Sequence, residues 1–163
     1  MVHVIRIGPN EYIHVLDNNS NVTRLLEGPQ TYTRKEHERV VAGPLEKVTL
    51  PPNYYAIVEN PVVRNENDDI VYDEVGMVAL RFGDTEVRLT SQFPEPFVLY
   101  PGEELETEPT ELPTVAPNTA LRLRATRPIL GKDGTTVEKP AGHEWLFYGT
   151  NLPRTPTKHK LRG

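Results

Sequence analysis

The stretch Pro9-Asn10-Glu11-Tyr12-Ile13-His14-Val15 decides the fold, because its pattern of a Pro-Asn pair and an alternating apolar run occurs three times. It returns at residues 52–58 as Pro-Asn-Tyr-Tyr-Ala-Ile-Val and at residues 117–123 as Pro-Asn-Thr-Ala-Leu-Arg-Leu. A Pro-Asn pair favours a turn, and apolar residues at every second position favour a half-buried β-strand. Such self-similarity is typical of tandem repeats. The sequence therefore predicts three units, at residues 1–51, 52–111 and 112–163.

Frequent proline and glycine leave little room for helices. The chain has 16 Pro and 11 Gly in 163 residues, and proline interrupts a helix by removing a backbone donor and clashing with the preceding turn. Four runs, at residues 12–16, 78–82, 86–89 and 121–124, alternate between apolar and polar side chains, as half-buried strands do. The predicted fold class is all-β: three tandem small antiparallel β-sheet repeat units in an elongated array.

Two turns connect the predicted strands. Gly83, between the runs at 78–82 and 86–89, predicts a hairpin turn with positive φ. The polar run 17–21 predicts a second, longer hairpin turn, because Asp and Asn bond their own backbone. We attribute the greater length of the middle unit to a polar loop at residues 64–69 and to the hairpin around Gly83.

Units of about 50 residues bury too little apolar surface to be stable alone, so each is expected to pack against a neighbour. The outer units of such a stack leave faces that need a cap or another chain, and neither end of this sequence reads as a dedicated cap. The sequence thus favours self-association.

Composition excludes several classes of protein. With 18 Lys+Arg against 23 Asp+Glu the net charge is -5, which disfavours binding to a phosphate backbone. The chain contains no cysteine, so disulfides, thiolate nucleophiles and zinc–cysteine sites are excluded. There is no apolar run of 18 residues and no signal-peptide pattern, and we expect a cytoplasmic protein.

Catalytic and metal-binding patterns are weak. Neither serine lies in a Gly-x-Ser-x-Gly elbow, and the five histidines do not form a His-Glu-x-x-His motif. His14, on an alternating strand, is interpreted as a solvent-facing or hydrogen-bonded histidine. A calcium loop starting at Asp17 fails because Val22 and Gly28 replace its required glycine and glutamate. The loop at 64–69 could attract a hard cation or be a solvated loop. We predict no enzyme activity, no cofactor and no metal site.

The run 33–39 places both signs of charge within seven residues. It reads as a solvated edge, or as a two-fold contact in which Glu36 of one chain faces Arg39 of its mate. The basic segment 158–162 is interpreted as a frayed tail, because five residues in an acidic chain do not make a nucleic-acid binder.

Several stretches resemble the amino-terminal repeats of the major vault protein family. They are Ile7-Gly8-Pro9-Asn10-Glu11-Tyr12-Ile13-His14-Val15-Leu16-Asp17, Tyr100-Pro101-Gly102-Glu103, Pro117-Asn118-Thr119-Ala120-Leu121-Arg122-Leu123-Arg124-Ala125 and Gly142-His143-Glu144-Trp145-Leu146. The resemblance runs in order from about Val4 to Pro153. It implies copies standing side by side as staves of a hollow, barrel-shaped cytoplasmic ribonucleoprotein shell. Its first repeat would lie at the waist, where two half-shells meet.

We therefore expect a structural wall segment of a vault-like shell that binds copies of itself, with other shell proteins as possible partners. Direct binding to nucleic acid or membrane is not expected. The alternative is a monomeric β-repeat adaptor that presents loops such as 64–69 to a partner protein. The residues expected at the half-shell contact are Met1, Val2, His3, Lys35, Glu36, His37, Glu38 and Arg39.

Overall fold

The computed structural model describes residues 3–131 and 133–149. The regular secondary structure of these residues consists of β-strands. The all-β prediction is thus confirmed. The chain divides into two compact units, Met1–Leu112 with strands β1 to β8 and Pro113–Gly163 with strands β9 to β12. The strands are β1 Val4–Ile7, β2 Glu11–Asp17, β3 Val22–Glu27, β4 Gln30–Thr33, β5 Glu38–Glu46, β6 Tyr54–Glu59, β7 Thr85–Leu89, β8 Glu104–Glu111, β9 Ala120–Arg124, β10 Ile129–Leu130, β11 Val137–Lys139 and β12 Glu144–Tyr148.

The first repeat is a three-stranded antiparallel sheet covered by a two-stranded one. Strand β2 lies between β3 and β5, and β1 pairs with β4. Ile13 and Val15 of β2 are fully buried against Ile7 of β1 and Tyr32 of β4. Alternate residues of β2 share one face of the sheet, which explains the alternation in the sequence. Burying each aliphatic side chain contributes roughly 1.5–3 kcal/mol.

The second repeat has the same plan. Strand β6 lies between β7 and β8, and its Ala56 and Val58 are fully buried at the positions that correspond to the buried pair of β2. Val48 and Phe97 form a bridge where the first repeat pairs β1 with β4. In both repeats the outer strand shifts register against the central strand, around His14 in β2 and the equivalent position of β6.

A β-turn precedes β2, β6 and β9, the strands that follow the three Pro-Asn pairs. Backbone N–H donors close turns at 8–11, 51–54 and 116–119, with N to O distances of 3.1, 3.1 and 3.2 Å. Asn53 and Asn118 have φ values of 63° and 62°, in the left-handed region that Asn tolerates. The three Pro-Asn stretches therefore fold as predicted, each as a turn that leads into a strand.

Gly83 forms the predicted turn, but the hairpin predicted around it is wrong. Its φ is 76°, and Asp84 N donates to Arg81 O at 3.2 Å. Strand β7 nevertheless pairs with β6 over five residues, because β6 offers a continuous antiparallel partner with a buried face. The segment before the turn forms isolated bridges instead, which are Val62 with Leu80 and Tyr72 with Val78.

In the second compact unit, β9 pairs with β12 and β10 pairs with β11. Leu121 lies opposite Phe147, and these two side chains are 42% and 44% exposed, whereas Ala125 is buried. Leu123 is half-buried. This sheet therefore has a smaller buried core than the first two. The unit borders at 51/52 and 111/112 stay predictions.

Candidate functional site

The charged run 33–39 ends in a β-turn that leads into β5. Glu38 N donates to Lys35 O at 3.1 Å and closes the turn. Arg34 N donates to His3 O at 3.0 Å, so the start of the described chain lies beside this turn. The structure thus brings His3 and the run together, as the predicted contact requires. Met1 and Val2, the other predicted members, lie outside the described residues.

Glu38 is the buried member of the run, only 2% exposed. Its carboxylate lies 2.7 Å from Arg24 Nη1 and accepts hydrogen bonds from Tyr32 Oη at 2.7 Å and from Lys35 N at 3.3 Å. Burial acts to raise the pKa of Glu38, but these bonds outweigh it and lower the pKa to about 2. Burial and the bond to Glu38 raise the pKa of Tyr32 to about 12. Glu38 therefore stabilises the turn from inside its own chain.

The exposed members of the run are those that another molecule can reach. Lys35, Glu36 and Arg39 are exposed, and so is His3. His37 is half-buried, with Nε2 3.9 Å from Asp17 Oδ2, which is a distant ion pair at most. Charges of both signs in the run therefore face solvent. Their contact with another chain stays a prediction.

The second repeat has a counterpart of Glu38 that sequence reasoning missed. Glu103 stands at the end of a turn before β8, as Glu38 does before β5. Its carboxylate lies 2.5 Å from Arg88 Nη2 and accepts hydrogen bonds from the backbone N of Tyr100 at 2.9 Å and of Val62 at 3.2 Å. The sequence does contain a signal for Glu103, because both repeats place a glutamate where β5 or β8 begins.

Arg88 is enclosed on several sides. Its guanidinium also pairs with Glu86 at 3.0 Å and lies over the rings of Phe93 and Phe97, at 5.0 and 4.8 Å from the ring centroids. The arginine is 1% exposed. A buried cation with two carboxylates and two aromatic faces is well compensated, so it fixes the geometry of the second repeat.

His14 connects the first two repeats. Its ring Nε2 lies 2.7 Å from the carbonyl oxygen of Leu99, in the second repeat, and burial lowers the pKa of this histidine. The interpretation of His14 as a hydrogen-bonded strand histidine is thus confirmed. The same outer face of β2 carries the buried Tyr12. One repeat therefore packs directly against the next within the first compact unit.

Metal and membrane sites have little support in the described part of the chain. No group of three or more His, Asp or Glu side chains is arranged there to hold a metal ion. In the loop at 64–69, Asn65 Oδ1 accepts the backbone N–H groups of Asn67 and Asp69 at 2.9 and 3.0 Å, which makes the loop a closed turn. Residues 3–131 and 133–149 contain no helix long and apolar enough to cross a membrane.

Comparison with known proteins identifies the repeats. Residues 47–108 match the family model of the Major Vault Protein repeat domain. Over 153 residues, 93% of this chain, the sequence is 52% identical to the major vault protein of Strongylocentrotus purpuratus and 53% identical to major vault protein alpha of Dictyostelium discoideum. Identity to the Homo sapiens major vault protein is 50% over the same length. This chain spans 17% of the length of each of these relatives.

Repeated small antiparallel sheets, each entered through a β-turn, place the chain in the class of tandem β-repeat proteins. Its sequence then specifies which one. The chain belongs to the major vault protein family and carries the repeat of that family.

Proposed function

We propose that the chain is a structural wall segment of a vault ribonucleoprotein shell in the cytoplasm, associating with copies of itself side by side and at the half-shell waist. The observation that supports this most strongly is the packing of one repeat on the next through His14 and Leu99, which extends the chain as a series of similar sheets. Identity of about half over 93% of the chain to major vault proteins supports the same role. The role requires no catalytic group.

At the waist, we propose that exposed charges of the run 33–39 pair across a two-fold axis. Glu36 and Arg39 are both exposed and lie three residues apart around the turn, so each can face the other residue of a second chain. Glu38 is excluded from this contact because its carboxylate is engaged within its own chain.

A charge-reversal cycle tests the waist contact. Glu36→Arg and Arg39→Glu should each weaken dimerisation, because each places like charges together, whereas the double variant should restore it. The dimer population is measured by light scattering across a concentration series. Lys35→Glu is the control, a nearby reversal outside the proposed pair. A monomer at all concentrations would overturn the association, and failure of the double variant to recover would overturn this pairing.

The second candidate function is a monomeric adaptor that presents loops to a partner protein. The observation that favours it is the exposure of apolar loop residues, with Val75 67% and Phe82 81% exposed. A chain that stays monomeric in the same light-scattering series favours the adaptor over the wall segment.

A further inference from the structure

Strand β3 is a regular edge strand of the first sheet. It pairs with β2 over six residues without a register shift, and its other side has no strand partner in the described part of the chain. Gly28 N donates to Glu11 O at 3.0 Å, which fixes the alternation of the antiparallel ladder. The residues whose backbone groups point away from β2 are then Thr23, Leu25 and Glu27.

Side chains occupy part of this open edge. Thr23 N donates to Met77 Sδ at 3.1 Å, and Glu27 O accepts from Gln30 Nε2 at 2.5 Å. A thioether sulfur is a weak acceptor, so the carbonyl oxygen of an added strand would be the better partner for Thr23 N. The methionine side chain is flexible and can move aside.

A cleft of about 400 Å³ runs along this edge, which is within the usual range of binding clefts. Strand β3 forms one wall. The opposite wall includes Tyr72, Val78 and Tyr100. Tyr72 is 57% exposed, so its ring is available to cover a side chain that enters the cleft.

The two charged side chains that line the cleft are already paired. Arg24, in the β3 wall, is paired with Glu38 at 2.7 Å, and Glu27 is paired with Lys47 at 2.8 Å. Asp73 and Glu74 follow Tyr72 directly in the chain and are exposed. They belong to a turn that lies between the lining residues Tyr72 and Gly76, and Asp73 Oδ1 also accepts the backbone N–H groups of Val75 and Met77. Two acidic residues at the edge of the cleft favour a positively charged occupant.

We propose that the β3 edge is a docking groove for an extended segment of a partner protein that carries lysine or arginine. The segment adds as a strand to β3, because Thr23, Leu25 and Glu27 direct their backbone groups into the cleft. One side chain of the segment lies against Tyr72 and Tyr100, and its basic residue lies near Asp73 and Glu74. This site is separate from the exposed charges proposed for the waist.

A blocked pentapeptide, acetyl-Lys-Val-Thr-Val-Lys-amide, tests the groove by titration into the chain labelled with nitrogen-15. We expect saturable shifts of the backbone amide signals of Thr23, Leu25 and Glu27. The same peptide with alternate backbone nitrogens methylated cannot complete the ladder and should bind at least tenfold more weakly. A version with Glu for Lys should also bind at least tenfold more weakly, because it meets the acidic rim.

Two variants locate the binding. Tyr72→Ala removes the exposed aromatic wall and should weaken binding at least fivefold. Phe82→Ala removes a more exposed aromatic that lies outside the cleft lining and should leave binding unchanged. Leu25→Pro removes only an outward N–H, which an edge strand tolerates, and should abolish the ladder contact.

Several results would overturn the proposal. They are the absence of shifts at millimolar peptide, equal binding of the methylated peptide, and equal binding by the Tyr72 variant. Shifts of the same three amides on raising the protein concentration without peptide would assign the groove to a second copy of the chain instead.

Discussion

Two glutamates in equivalent turns are buried, and each is paired with an arginine. Glu38 pairs with Arg24 of β3, and Glu103 pairs with Arg88 of β7. The glutamates occupy equivalent positions, but the arginines do not. Arg24 lies opposite Val15, whereas Arg88 lies opposite Ala56, which corresponds to Ile13 of the first repeat. The sequence repeat therefore indicates the positions of the two glutamates but not those of their arginine partners.

Removing the guanidinium of Arg88 should destabilise the first compact unit strongly. Arg88→Leu leaves Glu103 charged and uncompensated in the interior, a change that costs about 3–5 kcal/mol. Arg81→Leu is the matched control: its ion pairs with Asp84 and Glu86 are at the surface, and its loss should cost less than about 1 kcal/mol. Urea unfolding measures both, and equal losses would contradict the burial of the Arg88 pair.

The depressed pKa of Glu38 predicts a defined pH dependence. Because its folded pKa is about 2 against 4.5 ordinarily, the stability it contributes is present above pH 4.5 and is lost as the pH falls from 4.5 to about 2. The gap in unfolding free energy between the wild-type chain and Glu38→Gln should therefore narrow over this range. Urea unfolding at pH 6, 4 and 2.5 tests this prediction. A constant difference in unfolding free energy would show that the partners of Glu38 do not stabilise its ionised form.

At the scale of elements, the repeated turns lead into β2, β6 and β9, and a turn that contains a glycine leads into β8. Gly102 lies in the turn 100–103 with φ 97°, and a Cβ placed there would lie 2.3 Å from Leu80 Cδ1. Gly83 has φ 76° with open space around it. A side chain at Gly83 would therefore strain the backbone alone, whereas one at Gly102 would strain the backbone and also collide with Leu80.

Alanine at these glycines should have unequal effects. Gly83→Ala should lower the free energy of unfolding by about 1–2 kcal/mol, the cost of a left-handed non-glycine residue. Gly102→Ala should lower it further, because Leu80 must also move. Thermal unfolding monitored by far-ultraviolet circular dichroism compares them. Losses of the same size would mean that Leu80 yields without cost.

At the scale of the whole molecule, the first two repeats form one compact unit ending at Leu112. A chain of residues 1–112 should therefore unfold in one cooperative transition, since its buried core is formed within those residues. Calorimetry of this shortened chain tests the prediction. A transition without cooperativity would show that the first unit needs residues beyond Leu112. A shorter chain of residues 1–51 is the control, and we expect it to unfold with little cooperativity.

The sequence by itself determined the β class, the three Pro-Asn turns and the alternating strands that follow them, because turn chemistry and side-chain periodicity act between residues close in the chain. The tertiary structure decided the rest. Strand β7 pairs with β6 and not with the segment that precedes it in the chain. Arg88 contacts Glu103 and two phenylalanine rings, and Met77 contacts the edge of β3. Each of these contacts joins residues that are far apart in sequence or skips the adjacent segment, so its energy depends on which surfaces the packed repeats bring together.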